Sequence, residues 1–360
     1  MYKIGKYEYG ITDSYFLGEG AFSKVYLGRY TGLTNRYIKK DSQVAIKIIN
    51  DLKLNEKSLK ILEDEILIMN IIKNDPHDNI VLCYDIFRED NKTYIVMEYC
   101  NSGDMRNILV GKPIKEVYVK FYFKQLVNGL KYLYDKKILH RDIKPRNILL
   151  SDNKKVLKIA DFGFAKQSVI YSQDFLYDTI CGSPLYMAPE IMTKAYNNQT
   201  DLWSVGMILY EMLYGQHPFS HCKNIPDLQS EISRELYIPP LNNTNTNVTP
   251  ECLDLLTKLL QKNVGKRITW EEFFKNNWTE NSIIQTNTPI KLSSSPSLSQ
   301  INVRSLSTDN INIINSFLDK SFPLENEEIF DFESSVNEPI VVKTVFDKSS
   351  MLSDNKYKII

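Results

Sequence analysis

Residues 138–150 read ILHRDIKPRNILL. Apolar pairs at both ends read as short buried strands. Between them stand His140, Arg141, Asp142, Lys144 and Asn147. Burying polar and charged groups is costly unless each finds a partner or a task. Five of them in one short link between two strands therefore call for a network, a chemistry, or both.

Phosphoryl transfer asks little covalent help of a protein; it asks for positioning and charge neutralisation. Asp142 has the type to hold an attacking hydroxyl and accept its proton. Lys144 can neutralise the moving phosphoryl group, and Asn147 can help to hold a metal ion. The stretch HRDIKPRN resembles the catalytic loop of eukaryotic-type protein kinases, and its Lys-Pro form resembles the serine/threonine branch.

Other segments follow in that family's order. LGEGAFSKV, residues 17–25, resembles the glycine-rich loop over the ATP phosphates, with Gly18 and Gly20 allowing close backbone approach and Ser23 in place of a third glycine. Taken alone it reads equally as a glycine turn between strands. VLKIADFGFAK places Asp161 just after an apolar strand and 19 residues after Asp142. A carboxylate there implies a Mg²⁺ ligand, since hard cations take oxygen donors. Phe162 is expected to pack beneath a helix and Gly163 to permit a sharp turn. MAPE ends at Glu190, and Arg267 matches the arginine that pairs with that glutamate in the family. Asp201, in DLWSVG, matches the residue that braces the catalytic loop.

Two charges interrupt apolar faces. VAIKIIN alternates as a strand, with Val44, Ile46 and Ile48 on one side and Ala45 and Lys47 on the other. A helix is predicted over roughly residues 56–74, with Leu62, Ile66 and Met69 along one stripe and Glu65 on the same buried face. Either charge alone could snorkel to solvent. Together, at family spacing, they imply a buried Lys47–Glu65 pair that holds the lysine on the ATP phosphates.

The balance of the chain fits this frame. Its 360 residues carry 44 basic and 44 acidic side chains, so no global pull toward nucleic acid or an anionic membrane is expected. No stretch approaches the ~18 apolar residues of a bilayer span. The five cysteines form no CxxC pair, and MYKIGKYEYG is not a signal peptide. A reducing, cytoplasmic location is expected. From about residue 281 composition shifts to Ser, Asn, Asp and Thr, as in KLSSSPSLSQ, and the tail 281–360 reads as largely disordered. Its apolar islands EEIFDFESSV and PIVVKTVF are candidates for docking a partner or for folding back on the small lobe, and the final YKII has the aromatic-x-x-aliphatic form of an autophagy-receptor ligand.

The resemblance implies an α+β, two-lobed protein-kinase fold over residues 9–278. A small antiparallel β lobe with one helix spans 9–97, and a helical lobe spans 101–278. ATP is expected between them, its adenine against Leu17, Val25, Ala45 and Leu149. The hinge is Glu98, Tyr99 and Cys100, with Met97 at its threshold and Asp104 toward the ribose. Protein Ser/Thr hydroxyls are the implied acceptors. Thr179 is the implied activating phosphosite, with Arg141 and Lys166 as its basic partners. VMEYCNSGDM, KIADFGFA and CGSPLYMAPEIM are together similar to the autophagy-initiating (ULK-type) serine/threonine kinases, which also lack the third loop glycine. Two rival readings are a nucleotide-binding scaffold without turnover and an adaptor acting through its tail.

Overall fold

The computed structural model of the chain describes residues 1–20, 22–167, 184–192, 197–234, 238 and 248–280. Its N-terminal part is an antiparallel sheet. The strands are β1 (Tyr2–Ile4), β2 (Tyr7–Tyr9), β3 (Phe16–Gly20), β4 (Ser23–Tyr30), β5 (Gln43–Asn50), β6 (Cys83–Glu89) and β7 (Lys92–Glu98). They run in the order β1-β2-β4-β5-β7-β6, with β3 also paired to β4. The sheet thus begins at Tyr2, ahead of the boundary expected at residue 9.

The alternation in β5 divides two cores. Val44, Ile46 and Ile48 face a cluster with Tyr7, Tyr9, Tyr30, Ile38 and Tyr94. The following residue of the opposite face, Ile49, joins the main core. Helix α1 (Glu56–Asn74) lies against that second face. Asn55 starts it, its side chain accepting from the Ser58 amide, a cap worth about 1 kcal/mol. Pro76 follows two residues beyond its end and disfavours helix in the residue before it. Leu62, Glu65, Ile68, Met69 and Ile72 are its buried stripe.

The C-terminal part comprises α2 (Glu116–Asp135), β8 (Ile138–Leu139), β9 (Ile148–Ser151), β10 (Val156–Ile159), β11 (Lys166–Gln167), α3 (Pro189–Met192), α4 (Thr200–Tyr214), α5 (Ile225–Ser233), α6 (Pro250–Leu259), α7 (Trp270–Phe274) and α8 (Asn277–Glu280). Strand β9 pairs with β10, and β8 with β11. The polar run of the opening motif is therefore the loop from β8 to β9. Helix α4 is buried along nearly its whole length, in keeping with a sequence that is apolar on all sides apart from a few polar residues such as Asp201 and Glu211. Gly129 lets α2 come close to the β10 strand: a Cβ there would meet Asn79 O and Ile159 Cδ1 at 2.9 Å.

The two parts are stitched together beside the hinge. Val81 N donates to Ile159 O, Ile159 N to Asn79 O, and the Asn79 side-chain amide to Leu157 O. The segment after α1 is thereby fixed to the strand that leads into Asp161. Among the described residues no helix is long and apolar enough to cross a membrane.

Candidate active site

The β8–β9 loop is built from hydrogen bonds that use every polar group of the motif. His140 N and Arg141 N donate to the two oxygens of Asp201, each at 2.8 Å. Asp201 comes from the first turn of α4 and is almost wholly buried. Burial pushes its carboxyl up, against those two amides, which favour the charged form. The His140 ring accepts the Asp142 amide at Nδ1, which leaves Nε2 to donate to Ala160 O at 3.0 Å. Arg141 sits at φ 65°, a left-handed value that bulky side chains avoid, and its Nε donates to Phe164 O.

This loop presents Asp142. Asn147 Nδ2 donates to Asp142 Oδ2 at 2.8 Å and to its carbonyl at 2.9 Å. Lys144 Nζ lies 3.1 Å from the same Oδ2. Two donors on one oxygen fix the rotation of the carboxylate. Asn147 O in turn accepts from Ala160 N, which ties the loop to the residue before Asp161.

Asp161 also has a left-handed backbone, φ 62°, and its side chain is 49% exposed toward the cleft. Desolvation pushes its carboxyl up, but Lys47 and Lys144 outweigh this and hold it below the usual carboxylate range. Phe162 is fully buried, its ring 5.2 Å from that of His140, in the core that also holds Leu62 and Met69 of α1.

Lys47 Nζ lies 2.6 Å from Glu65 Oε1 and 3.4 Å from Asp161 Oδ1. Burial alone would lower the lysine pKa, yet the two carboxylates outweigh it and push it up, so the ammonium persists at neutral pH. Glu65 is the more enclosed partner, and burial pushes its carboxyl up beyond what Lys47 takes back. Both expected charges on apolar faces therefore converge, and α1 is docked in the position the pair requires.

Several of the expected nucleotide contacts lie on the strands around Lys47. Val25 stands opposite Lys47, and Ala45 opposite Met97. Met97 and Leu149 pack with Val81, Cys100 and Ala160. Leu17 is 41% exposed at the open edge, and a Cβ added to Gly18 would meet nothing within 4 Å. Asp104 is drawn to Arg106, which grips both its oxygens, and its carboxylate also caps the following turn.

One further relationship follows the sequence reading. Arg267 forms a two-armed pair with Glu190 at 2.6 and 2.9 Å, both buried. Lys166 Nζ stands 4.0 Å from Asp64 Oδ2 on α1. Thr179, the tail and its YKII end lie outside the described residues.

One pair escaped the sequence reading. Lys158 on β10 meets Glu98, an expected hinge residue, at 2.9 Å, and Glu98 Oε2 also accepts the Leu82 amide. Burial lowers Lys158, but Glu98 more than restores it, and the pKa is raised. The signal was available: Lys158 interrupts an apolar strand as Lys47 does.

A buried lysine–glutamate pair beside a positive-φ aspartate, facing an aspartate held by asparagine and lysine, is an arrangement with a known family. Residues 11–279 match the model of the protein kinase domain. The chain belongs to the protein kinase family. Among curated relatives, this kinase is 41% identical over 286 residues to the serine/threonine-protein kinase atg1 of Dictyostelium discoideum, covering 77% of this chain and 40% of that one. It is 41% identical to ATG1b of Arabidopsis thaliana over 72% of this chain and 35% of that one. It is 36% identical to human ULK1 over 81% of this chain and 27% of that one. The similarity thus spans two-fifths or less of each of these relatives.

Proposed function

We propose that this chain is a serine/threonine protein kinase that moves the γ-phosphoryl group of ATP to a Ser or Thr hydroxyl of a protein, with residues 9–278 as its kinase domain. One observation carries the reading: Lys47 meets both Glu65 and Asp161, while Asp142, Lys144 and Asn147 are locked together at the start of the β9–β10 hairpin that leads to Asp161. A scaffold without turnover has no need of the whole set.

The residues fit a nucleotide with magnesium. Asp161 offers a cleft-facing carboxylate. Asn147 uses its nitrogen for Asp142, which leaves the amide oxygen for a cation. Among the described residues no group of three or more His, Cys, Asp or Glu side chains is arranged to hold a metal. Two oxygen donors suit Mg²⁺ completed by phosphates and water. When bound, magnesium supplies charge neutralisation on the phosphate oxygens. Lys47, held by Glu65, donates to the phosphates. Val25, Ala45, Met97, Leu149 and Leu17 enclose the adenine, and Glu98 and Cys100 supply the hinge. Asp142 orients the acceptor O–H and takes its proton at a carboxylate oxygen, and Lys144 balances charge on the phosphoryl group in flight.

Thr179 is our candidate activating phosphosite, with Arg141 and Lys166 as partners. The tail beyond residue 280 is our candidate for partner binding. A cytoplasmic location belongs to this reading, in keeping with five cysteines that form no CxxC pair.

The test is a peptide mixture containing Ser, Thr and Tyr acceptors, incubated with the purified chain, ATP and Mg²⁺ and read by mass spectrometry. Phosphate on Ser and Thr, abolished by chelation, is expected. Tyr-only labelling, or none, overturns the reading.

A further inference from the structure

The loop from β4 to β5, residues 31–42, is long for a link between two paired strands, yet it is tightly built. Asn35 Oδ1 accepts the amides of Tyr37 and Ile38, and Asn35 N donates to Ile38 O. Thr34 Oγ1 accepts the Lys40 amide. Tyr30, itself buried, donates its hydroxyl to Leu33 O at 2.9 Å. Ile38 plugs into the outer core with Tyr7, Tyr9 and Val44. At the base, Thr31 N and Oγ1 both donate to Lys6 O, which sets the β1–β2 turn beside the loop.

This rigid frame displays an unusual pair of properties. Leu33 is 85% exposed, the highest value among the exposed large apolar side chains described. Its backbone is pinned, so the exposure is held by the fold. Around it, Lys6, Arg36, Lys39 and Lys40 are exposed. Among the described residues none of the four has a carboxylate within salt-bridge distance, whereas the neighbouring Arg29 is paired with both Glu8 and Asp41. Arg36 is braced over the Tyr37 ring at 4.3 Å. Positive charge is thus segregated on this edge of a chain whose formal net charge is zero.

An acidic peptide would use the cations alone, whereas a bilayer with acidic headgroups uses both the cations and the exposed leucine. We infer that the 31–42 loop, with Lys6, is a docking surface for an anionic lipid bilayer, on which Leu33 enters the headgroup boundary while the four cations meet acidic headgroups. This attachment is peripheral and places no segment across the membrane. It stands apart from the catalytic reading, since none of these residues lines the cleft.

Vesicle co-sedimentation of the full chain tests it without nucleotide. Vesicles of phosphatidylcholine are compared with vesicles containing phosphatidylserine, at low and high salt, and poly-glutamate is the competing acidic polymer. Preferential, salt-sensitive partition onto phosphatidylserine vesicles is expected. Each cation close to an anionic surface contributes about fivefold, so the triple variant Arg36→Gln/Lys39→Gln/Lys40→Gln should lose about 100-fold. Leu33→Ser should give a smaller loss that salt does not change. Solution kinase activity serves as the folding control for both variants. Equal partition onto the two vesicle types, unchanged binding by the triple variant, or binding to poly-glutamate without binding to either vesicle would each overturn the inference.

Discussion

Lys47 Nζ stands 2.6 Å from Glu65 Oε1, the β5 strand and the α1 helix meeting through one buried ion pair. The lysine is 14% exposed and the glutamate 6% by side chain, so the pair is shielded from solvent screening far more than a surface bridge. With Asp161 Oδ1 3.4 Å from the same nitrogen, one ammonium serves both carboxylates.

Replacing either end of that arrangement should impair turnover. We expect Lys47→Met and Asp161→Ala each to lower kcat/KM at least ~100-fold, or ~2.7 kcal/mol, with the fold retained by circular dichroism. Near-normal turnover by either folded variant would remove that residue from its proposed role.

Asp201 should matter through the loop it braces. In Asp201→Asn one of the two amides, His140 N or Arg141 N, faces an NH₂ group in place of an oxygen. An unsatisfied buried donor costs about 1–3 kcal/mol. The left-handed turn at Arg141 then loses a restraint. A fall in kcat of at least ~10-fold with little change in the KM for ATP is expected. Steady-state kinetics at varied ATP decides; equal changes in both constants point to a general loss of fold.

How much of this was legible in the sequence differs by element. The extent of α1 was readable from its 3.6-residue stripe of Leu62, Ile66 and Met69, and the structure adds the Asn55 cap at its start. The two cores around β5 followed from strict alternation. The hairpin β1–β2 was not readable: YKI and YEY look polar, and only the pairing of Tyr7 with Tyr30 reveals that they seal the outer face of the sheet. Lys158 was passed over because its partner Glu98 is remote in sequence and joins it only through the fold. The grip of Arg106 on Asp104 was equally hidden, being a matter of rotamer rather than spacing.

His217 should govern part of the acid sensitivity. It is buried, its Nδ1 accepts the Phe219 amide, and burial lowers its pKa to about 3. The folded state stays unprotonated while the unfolded chain takes a proton below the ordinary value of 6.5. Stability should therefore fall by about 1.4 kcal/mol per pH unit from that value downward toward the folded pKa, and be indifferent to this group above it. In His217→Asn, which keeps an acceptor without titrating, the slope of urea-derived stability against pH between 6 and 4 should be shallower by about that amount. Identical slopes would contradict the assignment.

Arg146 should shape substrate choice. It is exposed on the catalytic loop, directly before Asn147. A permanent guanidinium there disfavours arginine two residues before the acceptor, and acidic or apolar flanks should be better tolerated. A positional peptide library should show that bias, and Arg146→Glu should reverse it. Enrichment of arginine at that position in the unaltered protein would refute this.

The central claim is that Asp142 takes the proton of the acceptor hydroxyl. The direct measurement is Asp142→Asn under single turnover, with ATP affinity determined in parallel. The variant keeps an oxygen for the Asn147 and Lys144 donors and loses the base. Binding of ATP within about threefold of the unaltered protein is expected, with a phosphoryl-transfer rate lower by at least ~100-fold. Transfer at an undiminished rate, with ATP bound normally, would contradict it.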